Sequence, residues 1–245
     1  MFQIPRRSLL ILAACLALPA AGDAAALVVA NPGFEATPTP NGTFLGNGTT
    51  GPAGWGWTVV NTGPTNGNRF FGVWDPTGTP SYVPARPAGE NVGVIFLDDV
   101  LGLEARLQQV LADTLQLSTE YTLTVEVGNF RPSPGGDPWN FTGFPGYRVD
   151  LLAGSTVIAS DNNTLAPGEG VFLTSTVTFT TGVSHANAGQ ALAIRLVNLN
   201  GVGAGVEVNF DNVSLNAETV PEPSGLALLA FGAVLGLHGR RRGKV

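Results

Sequence analysis

Residues 121–127 read YTLTVEV and alternate apolar and polar side chains more regularly than any other stretch of the chain. Successive side chains of a β-strand point to opposite faces, so the odd-numbered apolar residues share one face, and the threonines and Glu126 share the other. One face then packs on a core and the other meets solvent. The stretch predicts an antiparallel strand, and much of the remaining chain repeats its pattern.

Similar short runs of aromatic and β-branched residues lie on both sides, separated by turns rich in Gly, Pro and Asn. They predict strands at 55–61, 70–74, 92–97, 147–152, 172–179, 191–197 and 206–215. Residues 104–111 fit a strand or a short helix, and the strand is favoured because it would precede the strand at 121–127. Eight or more strands without a convincing helix between them predict an all-β fold, an antiparallel two-sheet jelly-roll sandwich.

The charge of the chain limits the classes of molecule that it is expected to bind. Residues 27–224 contain six arginines and no lysine against 17 Asp and Glu residues, so this region is more acidic than the formal net charge of −6 for the whole chain indicates. A basic patch for nucleic acid is therefore not expected. Residues 27–219, the predicted β-sandwich body, are long enough for one hydrophobic core.

The first 26 residues have the pattern of a secretory signal peptide. Arg6 and Arg7 precede an apolar region at 9–18, and alanines at 24–26 offer a cleavage site. This predicts an N-terminal signal helix. The alternative is a lipoprotein cleavage box ending at Cys15, the single cysteine of the chain. In either case the body contains no disulfide.

The C-terminal segment, residues 220–245, has three parts. The tripeptide Pro221-Glu222-Pro223 stays extended because its prolines fix φ. An apolar run at 225–237 predicts a hydrophobic helix of about 20 Å, short against a hydrocarbon core of about 30 Å. The chain then closes on a basic cluster that contains Arg240, Arg241 and Arg242.

This ending resembles the PEP-CTERM sorting signal of Gram-negative bacteria. The resemblance implies processing by an exosortase, and export of the body to the cell envelope, the cell surface or the extracellular matrix. Before processing, the hydrophobic helix would hold the chain in the membrane, with the basic cluster on the cytoplasmic side.

The body resembles a carbohydrate-binding-module or galactose-binding-like jelly roll. The resemblance rests on NPGFE at 31–35, on Trp55 and Trp57, on YTLTV at 121–125 and on FDNVSL at 210–215. It implies a structural calcium between the first and last motifs, with Glu35 and Asp211 as candidate ligands. Calcium prefers such oxygen donors. The alternative is that Glu35 caps a turn and that Asp211 stabilises a bend.

Aromatic residues in or beside Gly- and Pro-rich loops are the candidates for ligand contact, since flat rings can cover the apolar face of a sugar. The candidate ligand-binding residues are Trp139, Tyr82, Arg131, Asn140 and Phe141. The alternative for the tryptophans at 55, 57 and 74 is that they fill the core. These residues predict a non-catalytic protein that binds or organises extracellular polysaccharide. A structural biofilm or matrix component without a discrete ligand is a second reading.

Signatures of catalysis are few, and the sequence favours a non-catalytic protein over an enzyme. His185, the one histidine of the body, lies in a turn without a nucleophile motif nearby. A third reading is a calcium-dependent small-molecule cyclase. The segments GYRVDLLAG at 146–154 and FDNV at 210–213 are similar to those of the Stig cyclases of cyanobacteria, which make hapalindole-type alkaloids. That resemblance implies a proton-donating aspartate in an apolar pocket, and Asp211 is its nearest positional match.

Overall fold

A computed structural model describes residues 24–61, 69–82, 89–98, 103–132, 141–201 and 205–221. Its strands belong to one compact unit, Asp23–Thr219. The strands are β1 Ala25–Leu27, β2 Phe44–Asn47, β3 Thr58–Asn61, β4 Arg69–Trp74, β5 Val92–Leu97, β6 Ala105–Thr114, β7 Thr119–Asn129, β8 Tyr147–Ala153, β9 Thr156–Asn162, β10 Val171–Thr180, β11 Ala191–Asn198 and β12 Val206–Thr219. The described residues include no helix.

These strands form two antiparallel sheets. The larger sheet has the order β10-β7-β12-β5-β4-β2, with β1 added to the far part of β12. The smaller sheet has the order β3-β6-β11-β8-β9. The all-β class and the two antiparallel sheets predicted from the sequence are confirmed, and the ambiguous stretch at 104–111 forms most of strand β6.

The strand β7, which contains the YTLTVEV stretch, lies between β10 and β12. Its apolar residues at 121, 123, 125 and 127 are at most 1% exposed and pack between the two sheets, as their alternation predicts. Full burial of one such side chain stabilises the fold by about 1.5–3 kcal/mol. The core between the sheets therefore rests on the residues that identified the strand.

The tryptophans of the N-terminal half have two different environments. Trp55 and Trp57 join the core between the sheets, and Trp57 stacks on Phe34 with ring centroids 5.5 Å apart. Trp74 instead belongs to a second hydrophobic cluster. Its partners there include Tyr82 and Phe130. The expectation that tryptophans fill the core holds for two of them, and Trp74 lies elsewhere.

One buried carboxylate links the two sheets. Asp161 on β9 accepts hydrogen bonds from the hydroxyl groups of Tyr147, of Ser175 on β10 at 2.6 Å, and of Thr164 at 2.7 Å. Burial alone would raise the pKa of Asp161, but the bonds from Ser175, Tyr147 and Thr164 outweigh it and lower the pKa. The carboxylate is thus held ionised as a structural bridge.

The helices predicted near the two ends fall in residues 1–23 and 222–245, outside the described residues. Within the described part of the chain, no helix is long and apolar enough to cross a membrane.

The Phe34 ring needs the glycine beneath it. A Cβ on Gly93 would lie 2.4 Å from Phe34 Cζ, and Phe34 is fully buried against Trp57. We expect Gly93→Ala to destabilise the protein by about 1–3 kcal/mol, because the ring must move in a packed core. The midpoint of urea unfolding measures this change.

Gly168→Ala is the matched control, since no atom lies within 4 Å of a Cβ at that position. Its free energy of unfolding should stay within about 0.5 kcal/mol of that of the parent protein. Equal effects of the two substitutions would show that Phe34 does not depend on Gly93.

Candidate functional site

A cavity of about 430 Å³ opens on the outer face of the larger sheet. Its wall is predominantly aromatic. The aromatic lining residues are Phe44, Phe70, Trp74, Phe96, Phe130 and Phe141. Within the described part of the chain, the ionisable group of this lining is Glu207. An apolar cavity with one convergent acid is the usual form of a small-molecule site.

The cavity forms on two adjacent strands, β4 and β5, which apart from Arg69 are apolar on both faces. β4 reads RFFGVW and β5 reads VGVIFL, and every residue of β5 is buried. One set of alternating residues packs between the sheets, and the other, which includes Trp74 and Phe96, faces outward into the cavity. A strand without polar alternation is expected where both faces are covered.

The aromatic rings of the wall form a continuous series of contacts. From the β2 edge inward, ring centroids are separated by 6.4 Å (Phe44–Phe70), 5.8 Å (Phe70–Phe96), 4.9 Å (Phe96–Phe141), 5.6 Å (Phe141–Phe130) and 5.1 Å (Phe130–Trp74). The outermost rings are partly exposed, at 41% for Phe44 and 37% for Phe70. The series therefore runs from solvent to the interior.

A pair of glycines makes room for the outermost ring. Gly46 on β2 pairs with Gly72 on β4, and a Cβ on either would lie within 3 Å of the Phe44 ring. The ring consequently lies over bare backbone. Neither position can carry a side chain without moving the wall of the cavity.

Glu207 enters the cavity from β12, opposite Phe96 of β5. It is 7% exposed, and its Oε1 has no hydrogen-bond partner. Burial raises the pKa of Glu207 to about 7, against an opposing effect of the Asn209 side chain. A carboxyl with this pKa can hold a proton near neutral pH and release it to a bound molecule.

Tyr82 and Asn209 lie beside this acid. The Tyr82 hydroxyl donates a hydrogen bond to Asn209 Oδ1, and both side chains are buried. Burial, together with the charge of Glu207, raises the pKa of Tyr82 well above its usual value. Tyr82 therefore acts as a neutral hydrogen-bond donor.

The structure brings two of the predicted ligand-binding residues to this site. The Tyr82 ring packs at a tilt against Trp74 and Phe172, with centroids 5.9 and 4.6 Å away, and Phe141 lines the cavity. Arg131 is not in the lining, and its guanidinium donates to the backbone oxygen of Glu169 at 3.0 Å.

Two further candidates, Trp139 and Asn140, lie outside the described residues.

Glu35 and Asp211, the predicted metal ligands, lie close together around Gly33. A Cβ on Gly33 would be 3.4 Å from Asp211 Oδ1, 3.7 Å from Glu35 Cγ and 3.9 Å from Asn212 Oδ1. The backbone N–H of Val213 donates to Pro32 O at 3.0 Å, so the first and last motifs are adjacent. Their side chains provide carboxylate and amide oxygens, which is the donor chemistry that calcium prefers.

Few acidic side chains near Gly33 are available as metal ligands. The described residues include no group of three or more His, Cys, Asp or Glu side chains that could hold a metal ion. Glu35 Oε1 also accepts the backbone N–H groups of Glu90 and Asn91 at 2.8 and 2.9 Å. Backbone and amide oxygens would have to complete the coordination, and calcium accepts both.

Glu207 was not among the residues predicted for the site. The resemblance to the Stig cyclases pointed to Asp211 as the acid of an apolar pocket, but the lining of the described cavity contains Glu207, four positions earlier on the same strand. A signal was present in the sequence. The outward positions of β4 and β5 are apolar, which means that the outer face of the sheet is covered and that an acid on its neighbour β12 is buried.

Comparison with known proteins now identifies the family. A family model described as HpiC1 cyclase, of the HpiC1-like family, matches residues 25–216. The chain belongs to the HpiC1-like cyclase family. A second model, the PEP-CTERM protein-sorting motif, matches residues 219–242. That motif indicates an exported, cell-surface-sorted protein of a Gram-negative bacterium that an exosortase processes. The resemblances to the Stig cyclases and to the PEP-CTERM sorting signal are confirmed.

Solved structures of cyclases resemble this one. The Stig cyclase Fisc from Fischerella sp. TAU, in complex with (3Z)-3-(1-methyl-2-pyrrolidinylidene)-3H-indole, is 35% identical with a TM-score of 0.69, and the match covers 81% of this chain and 100% of that chain. An apo form cyclase from Fischerella sp. is also 35% identical, with a TM-score of 0.69 and coverage of 81% and 98%.

A cyclase from Fischerella sp. TAU in complex with 4-(1H-indol-3-yl)butan-2-one is 36% identical, with a TM-score of 0.68 and coverage of 81% and 100%. No curated protein matches the chain.

The prediction of a non-catalytic polysaccharide-binding protein is wrong. The HpiC1-like family match and the ligand-bound cyclase structures from Fischerella favour the cyclase interpretation over it. The aromatic residues that suggested sugar contact, Tyr82 and Phe141, belong instead to a deep cluster around an acid. Calcium, predicted from the resemblance, is the cofactor that membership of this family implies.

Glu207 makes folding depend on pH in a defined direction. Its pKa is about 7 in the folded protein and about 4.3 in an unfolded chain. The folded state therefore loses stability as pH rises between these values, and the full cost is present above pH 7. Glu207→Gln removes that cost, so the variant should gain about 2–3 kcal/mol over the parent between pH 5 and pH 8.

Urea unfolding at the two pH values measures this gain. Asp161→Asn is the control, because the pKa of Asp161 is lowered and the carboxylate is ionised at both pH values. Its difference from the parent should be the same at pH 5 and pH 8. An equally constant difference for Glu207→Gln would show that Glu207 titrates like an exposed carboxyl.

Proposed function

We propose that this protein is an exported cyclase that isomerises a small aromatic substrate by proton transfer from Glu207. The observation that carries the proposal is a buried carboxyl with one unpaired oxygen, Glu207 Oε1, in an aromatic cavity on the fold of a cyclase family. Because the ligand-bound cyclase structures from Fischerella hold indole-containing ligands, an indole bearing an unsaturated side chain is the proposed substrate class.

The first step is protonation. The Glu207 carboxyl gives its proton to an unsaturated carbon of the substrate, which leaves a carboxylate on the enzyme and a cation on the substrate. The rings of Phe96, Phe130 and Trp74 stabilise that cation, since the face of an aromatic ring attracts positive charge. Their apolar bulk also excludes water, which would otherwise capture the cation.

Ring closure and proton loss complete the reaction. A second pair of π electrons of the substrate attacks the cationic carbon and forms the new carbon–carbon bond. The cyclised cation then loses a proton to the Glu207 carboxylate, and the acid is restored. The product is an isomer of the substrate, so no oxidant, reductant or additional reactant is required.

Calcium has a supporting part in this proposal. Glu35, Asp211 and Asn212 would hold the ion at Gly33, with further oxygens from the backbone. Bound there, calcium supplies positive charge that ties the opening segment to β12. Calcium takes no part in the proton transfers, and the acid Glu207 lies four positions before Asp211 on β12.

The organisation of the chain follows from the same proposal. Residues 1–26 would direct export and be removed, residues 27–219 would form the cyclase domain with a jelly-roll topology, and residues 220–245 would anchor the chain in the membrane until exosortase processing. The reaction would then take place at the cell surface or in the surrounding matrix.

A binding and turnover experiment tests the activity. 4-(1H-indol-3-yl)butan-2-one should bind the purified protein and quench tryptophan fluorescence, because Trp74 lines the cavity. Indoles with unsaturated side chains should be converted to products of unchanged mass and new chromatographic retention. Glu207→Gln should retain binding and lower turnover by about 10²–10⁴-fold, the usual contribution of a general acid.

Turnover that survives Glu207→Gln would reject Glu207 as the acid. Absence of both binding and turnover in a folded, calcium-loaded sample would reject the proposed substrate class.

A chelation experiment tests the metal ligands. Removing calcium with EGTA should lower the melting temperature by about 5–10 °C, the effect of losing a ligand held at 100 times its Kd in a protein of this size. Glu35→Gln and Asp211→Asn should each reduce that shift. Glu169→Gln, at an exposed glutamate, is the control and should leave it unchanged.

A shift that persists in both ligand variants would place the calcium site elsewhere.

A further inference from the structure

Two buried polar atoms near the aromatic cavity have no hydrogen-bond partner. They are Glu207 Oε1, an acceptor, and Asn209 Nδ2, a donor. The two residues lie two positions apart on β12, so their side chains leave the same face of the strand. A buried donor that is left unpaired destabilises the fold. Such a group is expected at a site where it acquires its partner during function.

The orientation of the Asn209 amide is fixed from one side. Tyr82 donates its hydroxyl proton to Asn209 Oδ1, and Tyr82 has no other state available because its own ionisation is strongly disfavoured. The rings of Trp74 and Phe172 hold the Tyr82 ring in place. With Oδ1 occupied, the amide must direct Nδ2 away from Tyr82, and it cannot rotate without losing a buried hydrogen bond.

Asn209 lies beside the acid because residues 207 and 209 share one face of β12, and Nδ2 is the amide atom that the Tyr82 hydroxyl leaves available. The Asn209 side chain lowers the pKa of Glu207 and so favours its carboxylate form, although no formed hydrogen bond joins the two residues. The amide is therefore close to the carboxyl and is oriented as a donor. A donor in this position gains a strong partner only when the carboxyl loses its proton.

We infer that Asn209 is a positioning residue that receives the Glu207 carboxylate after proton transfer, and that Tyr82 holds Asn209 in the orientation that this requires. The inference rests on the proposed function, in which Glu207 gives up a proton. While Glu207 holds its proton, Asn209 Nδ2 has no hydrogen-bond partner. After the substrate is protonated, Nδ2 donates a hydrogen bond to the new carboxylate, and that bond breaks again when the proton returns.

Other groups around Glu207 do not offer this support. The neighbouring residues are Phe96 on β5 and Phe130, which directly follows β7, and both are apolar. Asp98, after β5, lies beside Gly205 and would repel a second carboxylate. Glu126 on β7 accepts a hydrogen bond from Thr174 at 2.7 Å and carries the same charge. Among the described residues facing Glu207, the amide of Asn209 is thus the group suited to a carboxylate.

The main measurement follows the titration of Glu207 directly and needs no substrate, and a pH–rate profile accompanies it. The full-length protein is labelled with ¹³C at the glutamate side-chain carboxyl groups, and the Glu207 signal is assigned by its loss in Glu207→Gln. In the parent protein this signal should titrate with a midpoint of about 7. Asn209→Leu should raise the midpoint by about one pH unit, because the carboxylate loses a donor of the usual net strength.

Tyr82→Phe is the second variant and keeps the ring while removing the hydroxyl. It should raise the midpoint by a smaller amount, since the amide remains but is free to turn. Tyr147→Phe is the matched control, because its hydroxyl is bonded to Asp161 and lies outside the cavity lining. It should leave the Glu207 midpoint unchanged, and the upper limb of the pH–rate profile should move in parallel with each midpoint.

The outcomes separate this inference from the proposed function. If Glu207 titrates near 7 and neither Asn209→Leu nor Tyr82→Phe moves its midpoint, the positioning role is rejected while the acid remains. If Glu207 in the parent protein titrates near its ordinary value, the proposed acid is rejected and the positioning role with it. Raised midpoints in both variants, with no change in Tyr147→Phe, support the role assigned to Asn209.

Discussion

The candidate site depends on the position of β12, which is hydrogen-bonded to β5 on one side and to β7 on the other. β12 pairs with β5 over residues 206–210 and with β7 from residue 209 onward, and a bulge between Asp211 and Ser214 marks the point after which β1 becomes its neighbour. Inward residues of this strand complete the core, and outward residues carry the acid and its amide. The bulge then turns Asp211 and Asn212 towards Gly33. Acid and cation ligands are therefore positioned by one strand.

Environment gives the buried carboxylates of this protein different chemistry. Asp161 accepts hydrogen bonds from three hydroxyl groups, which lower its pKa. Asp150 forms ion pairs with Arg148 and Arg195. Glu207 has aromatic neighbours and an unpaired oxygen. Carboxyl groups of similar intrinsic acidity thus serve as a bridge between sheets, as a member of an ion-pair network and as a proposed proton donor, and the difference lies in their neighbours.

Much of the fold could be predicted from the sequence, because side-chain alternation is a local property. The strands at 121–127, 147–152 and 191–197 have one continuous apolar face, and each lies in an antiparallel sheet of the structure. The site was harder, because burial of an outward face depends on which strands become neighbours. Glu207 lies in an alternating pattern that reads as solvent-facing, and it is buried by Phe96 and Phe130, which are far away in sequence. The residue types of Tyr82 and Phe141 were enough to predict that they contact a ligand, but they did not indicate which kind of ligand.

The two apolar faces of β5 also bear on how this family can diversify. A strand with one solvent-exposed face tolerates a shift in register poorly. A strand that separates a core from a cavity tolerates it still less, because a shift by one residue would turn its core-facing side chains towards the cavity and its cavity-facing side chains towards the core. Insertions and deletions in β5 or in the first half of β12 would therefore unfold the protein and destroy its cavity in the same event. Replacements at outward positions alter the cavity alone. New specificities are accordingly expected to evolve through substitutions within strands of constant length, and changes in length are expected to be confined to the loops around them.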